Sequence, residues 1–140
     1  MKRYVLGTII GGACLFLLGY LIYVVLMPNP HFANGSAAAV ATRAAPNLRP
    51  IIVAELLFGF LLTRALTKSG AIGNVGSAAK TGALIGGIVA LAYSLLILGT
   101  TELITSRGAL YEGITWAVRW GVAGAVLSLL IGKEKAKQGS

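Results

Sequence analysis

The sequence predicts an all-α fold, a bundle of four transmembrane helices with both termini on the same side. Three observations predict it. Four apolar stretches, Val5–Met27, Ile51–Thr67, Gly82–Thr100 and Gly113–Gly132, fill most of the 140 residues. Only 11% of the residues are charged and 56% are hydrophobic, whereas soluble domains are about 25% charged. The basic residues cluster at alternate ends of the stretches. A membrane helix needs about 20 apolar residues at roughly 1.5 Å each. The four stretches meet or approach that length, so the chain reads as one membrane domain, residues 1–140, with no separate soluble domain.

The first stretch follows Met1-Lys2-Arg3. Its apolar run is longer than the roughly 7–15 residues of a signal-peptide core, so an uncleaved helix is expected. Gly12-Ala13-Cys14 has the outline of a lipoprotein cleavage site. Gly11 stands where a large aliphatic residue is usual, however, and the apolar run continues past Cys14. A single cysteine excludes an internal disulfide, and Cys14 is expected to be a small packing residue.

A long link, residues 28–50, joins the first two stretches. Pro28 and Pro30 end the first helix, and the alanines of Ala37–Ala45 allow a short surface helix. His31 lies in this link and reads as an exposed loop residue. With one His and one Cys, a zinc site has too few of its usual ligands, so no metal and no cofactor is expected. The link between the second and third stretches, Ser69–Ala79, holds Gly70, Gly73 and Gly76 and reads as a flexible loop. Lys80 follows, but the spacing of a nucleotide-binding P-loop is absent. No internal repeat with a matched motif emerges.

Charge gives the orientation. Lys2, Arg3, Arg64, Lys68, Lys80, Lys133, Lys135 and Lys137 fall on one side of the stretches. Arg43, Arg49 and Arg107 fall on the other, near Glu102 and Glu112. The positive-inside rule then places both termini and the Ser69–Ala79 link in the cytoplasm. The same residues are expected to meet anionic lipid headgroups. The net charge of +8 does not suggest nucleic acid, because the cations flank apolar spans and form no stripe with interleaved aromatics.

Lipid tails are as apolar as leucine, so membrane helices associate through close contact between small residues. Gly82, Gly86, Ala90 and Ser94 recur every fourth position in the third stretch, as do Gly113, Ala117, Gly121 and Ala125 in the fourth. Gly7 and Gly11, then Gly19, line the first. Glu55, Gly59, Thr63 and Thr67 line the second. Positions four apart share a helix face, so each helix has one narrow packing seam. The seams suit packing within one bundle, or else a dimer surface. Tyr4, Tyr23, Tyr111 and Trp116 lie toward span ends, where amphipathic rings favour the membrane interface.

Glu55 and Arg119 are ionisable residues inside apolar runs. A charge at the bilayer centre costs about 2.5–3.5 kcal/mol on insertion scales, so both need a partner or an exit. Counted from the ends of their spans, Glu55 is about 7 Å deep and Arg119 about 12 Å. Both lie in the outer half, and Arg119 leans toward its own helix N-terminus, hence toward Glu55's level. Three arrangements compete. The first is an ion pair between the second and fourth helices. In the second the two residues snorkel separately, with Glu112 helping to receive Arg119. In the third they line a polar cavity for a solute or protons. Trp116 is close to Arg119's face and can stack on the guanidinium; Trp120 flanks it on the other side.

No Ser/His pair lies in the spans and no carboxylate pair has a catalytic spacing, so no catalytic residue and no enzyme is expected. The chain resembles the small four-helix bacterial membrane proteins grouped as domains of unknown function. The resemblance is carried by Gly19-Tyr20 to Tyr23 in the first span, by the Pro-Asn start of the outer link, and by the glycine-rich third and fourth spans. It covers most of the chain and implies the fold and a membrane location. Two functions are expected to compete. One is a non-catalytic accessory or structural subunit that packs against larger membrane proteins or copies of itself. The other is a small oligomeric transporter or channel that uses Glu55 and Arg119.

Overall fold

The computed structural model describes residues 2–26 and 47–138, with side chains through Gly132. Helix α1 runs Lys2–Tyr20 and continues as a π-helical turn, Leu21–Leu26. Helices α2, Leu48–Lys68, α3, Val75–Thr100, and α4, Ser106–Gln138, follow. All four are long and apolar enough to cross a membrane. The Ala37–Ala45 segment, His31 and Met27 lie outside the described residues.

All four helices start earlier than the apolar stretches suggest, α1 at Lys2 and the other three at capped ends. Helix α2 starts three residues before Ile51, with Asn47 as its cap accepting from the Arg49 N–H. Pro50 therefore lies in the first turn, where its missing N–H costs nothing. Helix α3 starts seven residues before Gly82. Asn74 caps it by accepting from the Ser77 N–H at 2.9 Å. The expected loop Ser69–Ala79 thus shortens to a tight turn, and Gly76 is helical. Gly70 and Gly73 remain in that turn at φ +69° and +104°, a backbone region that disfavours side chains. Helix α4 starts seven residues before Gly113. The Thr105 hydroxyl accepts from the Gly108 N–H at 3.0 Å and serves as its cap. In each case the apolar signal stops where polar residues begin, whereas the helix runs on to its cap.

The helices pack as two antiparallel pairs, α1 with α2 and α3 with α4. Helix α4 also lies along α1, while α2 scarcely touches α3 or α4. Helix α4 is therefore central: half of its most apolar window is buried, against 22–28% for the other spans.

Small residues make both pairs close. A Cβ on Gly11 would lie 3.2 Å from the Gly59 Cα, and one on Gly59 would lie 2.6 Å from the Thr8 carbonyl oxygen. In the second pair, side chains at Gly82 or Gly86 would strike Trp120, and one at Gly124 would strike the Ala78 carbonyl. Ala90 and Ser94 extend the buried face of α3. Gly113, Ala117 and Gly121 face Leu91, Gly87 and Ala83, and Ala125 is half-buried. The α2–α3 turn is tied down by Ser128, whose hydroxyl accepts from the Gly73 N–H at 3.0 Å. Leu15, Leu62, Leu66, Trp120, Leu127 and Ile131 complete the core. Leu84, Ile88, Leu95 and Leu96 face outward, as expected of a surface covered by lipid.

Candidate functional site

Arg119, on the central helix, is only 3% exposed. Its Nε and Nη2 both donate to the Leu15 carbonyl of α1, at 2.9 and 2.7 Å. Nη2 also pairs with the Glu55 carboxylate of α2. One guanidinium thus clamps three helices. A helical carbonyl has a second lone pair beyond its ladder bond, and that is what Leu15 offers. Gly19, one turn on from Leu15, leaves the space: a Cβ there would lie 2.9 Å from Nη2. Gly12 brings α2 close at the same level, since its Cβ would lie 3.0 Å from the Glu55 carbonyl oxygen.

Glu55 is 12% exposed at its side chain. Its Oε1 meets Arg119, whereas its Oε2 is buried without a hydrogen-bond partner among the described residues. A buried charge pair gains little net stability, because desolvation offsets the attraction. Removing one member is costly, and that asymmetry makes the pair a device for fixing register.

Aromatic side chains surround the pair. The Arg119 guanidinium lies 5.4 Å from the centre of the Trp116 ring, within cation–π range. Phe58 of α2 packs edge-on against Trp116 at 5.1 Å and against Trp120 at 5.5 Å. The two tryptophans stack at 6.3 Å. Trp120 is fully buried, and its Nε1 lacks a partner among the described residues.

A second polar chain extends away from the basic end. Trp116 Nε1 donates to the Tyr23 hydroxyl at 3.1 Å, and that hydroxyl donates to Glu112 Oε2 at 2.6 Å. Tyr23 lies in the π-helical turn of α1. Glu112 therefore joins the cluster through Tyr23, and the group that Arg119 meets is Glu55. Tyr23 is more than an interfacial ring: it links α1 to α4. The sequence carries a signal for this, since Glu112, Trp116 and Arg119 recur at helical spacing on one face of α4.

The sequence-derived packing residues divide among these contacts. Gly7, Gly11 and Gly59 serve α1, α2 and the nearby part of α4, while Gly82, Gly86, Ala90, Gly113, Ala117, Gly121 and Ala125 lie on α3 and α4. Glu55, Arg119 and Trp116 come together, with Glu112 one link away. Among the described residues, no three His, Cys, Asp or Glu side chains gather as metal ligands would. Compared with protein family models, curated proteins and solved structures, the chain matches none.

Proposed function

We propose that this chain is a non-catalytic integral membrane protein, an accessory or structural subunit that packs against larger membrane proteins. The observation that carries this reading is the use of the intramembrane charges. Arg119 is committed to Glu55 and to the Leu15 carbonyl, so it acts as a brace. The resemblance to small four-helix bacterial membrane proteins belongs to the same reading. So do a location in the bacterial inner membrane, cytoplasmic termini, and anionic headgroups around the basic end. A tagged chain, expressed at native level and extracted in mild detergent, tests it. A native gel should show a complex of fixed stoichiometry with a second membrane protein. A chain that runs alone refutes the subunit reading. Labelling of Ser69→Cys, in the exposed turn, should occur only from the cytoplasmic side.

One observation favours a second reading, a small oligomeric transporter or channel. Among the described residues, one buried carboxylate oxygen of Glu55 has no partner, and such an atom suits a hydrogen-bond donor on a solute. Flux into liposomes that is unchanged by Glu55→Gln would remove this reading.

A further inference from the structure

We infer that the basic end of the bundle carries a discrete site for the phosphate of an anionic lipid, with Arg3 as its central contact. The inference rests on the membrane reading above and deepens it from diffuse attraction to one residue. Gly7 marks where three helices meet: its Cβ would lie against Thr63 of α2 and 3.1 Å from Ile131 of α4. Arg3 is one turn before Gly7 on the same face of α1, so it stands at the mouth of this junction. It is only half-buried, yet its Nε is enclosed and, among the described residues, makes no hydrogen bond. Thr67, one turn beyond Thr63, has its hydroxyl proton engaged by the Thr63 carbonyl at 2.7 Å.

The charge around Arg3 is not neutralised by the described side chains. Glu55 and Glu112 belong to the clamp and its extension, and Glu102 lies in the α3–α4 link. Lys2, Arg64 and Lys68 occupy the same end as Arg3. Past Gly132, helix α4 carries Lys133, Lys135 and Lys137 against one acid, Glu134. A half-buried guanidinium at a helix junction, its Nε without a hydrogen-bond partner among the described residues, in the first turn of a membrane span, lies at the level of headgroup phosphates. With its Nε enclosed, the planar fork of its two Nη groups remains to match two phosphate oxygens at once. A lysine lacks that fork, so Arg3 should matter more than its neighbours.

The test is native mass spectrometry of the full chain in detergent, titrated with phosphatidylglycerol or phosphatidylcholine. The wild type should retain one phosphatidylglycerol in preference to phosphatidylcholine. Arg3→Gln should weaken that binding about tenfold, and Arg3→Lys should weaken it less. Lys80→Gln, at the same end but on α3, should leave it near wild type. Equal losses from Arg3→Gln and Lys80→Gln would mean diffuse attraction and overturn the site. So would wild-type binding by Arg3→Lys, which would show that charge alone suffices. Displacement of the lipid by inorganic phosphate would overturn the choice of lipid as ligand. Extraction of the chain from membranes by alkaline carbonate would defeat the membrane reading itself. A chain that stays inserted while Arg3→Gln binds normally would defeat only this inference.

Discussion

The α1–α2 seam at Gly11 and Gly59 and the clamp around Arg119 hold neighbouring parts of one bundle by opposite means. At the seam, two backbones approach because side chains are missing. The contact is made of many weak dispersion terms. At the clamp, one long side chain crosses a gap, and its charge is answered by a carboxylate and a carbonyl. The seam joins helices that α2's sequence position makes early partners. The clamp joins that pair to α4. Close packing therefore builds the pairs, and directional polar bonds fix how one pair sits on the other.

The largest effect should come from breaking the clamp on one side. Arg119→Leu leaves Glu55 buried without its partner and should cost about 3–5 kcal/mol. Thermal or detergent-titrated unfolding would measure it. The double variant Glu55→Leu/Arg119→Leu should recover most of the loss, and failure to recover would mean that the Leu15 bonds dominate. The seam comes next. Gly59→Val would press on the Thr8 carbonyl and the Gly12 backbone, which cannot rotate aside. A cost of about 1–3 kcal/mol is expected, and cross-links between α1 and α2 should lengthen. An unchanged cross-link distance would contradict the packing described.

Tyr23→Phe removes the hydroxyl shared by Trp116 and Glu112. Glu112 and Trp116 are both half-buried, so about 1 kcal/mol is expected. A change in Trp116 emission should accompany it. The smallest effect belongs to Leu84→Ala. Leu84 is 64% exposed, and lipid replaces the contacts it loses, so stability should stay within about 0.5 kcal/mol. A larger loss would show that this face is covered by protein.

The spans were legible because a run of apolar residues long enough for a bilayer has few other uses. Their ends were not. Polarity marks where the lipid stops, whereas the caps at Asn74 and Thr105 mark where the helix starts. The meeting of Glu55 and Arg119 was one of three arrangements that depth and side-chain direction allowed, since both lie in the N-terminal halves of helices that run parallel. The Leu15 carbonyl was out of reach of such reasoning, because every residue carries a carbonyl and nothing in the sequence marks the one that is used. Gly19 was visible as a small residue, but a glycine that clears space for a guanidinium looks the same as one that admits a helix. Tyr23 was read as an interfacial ring because its distance from Glu112 in the chain hides their contact.

The central position of α4 also has a consequence in time. Glu55 is made 64 residues before Arg119. While α2 is already entering the membrane, the cation that will answer its carboxylate does not yet exist. A charge inside the bilayer is costly without a partner, so early intermediates should hold Glu55 near water. Only when the final helix arrives can that acid move inward for good. Completion of the bundle is thereby tied to completion of synthesis, and a chain cut short before Arg119 would keep an acidic mark by which it could be told from a finished one.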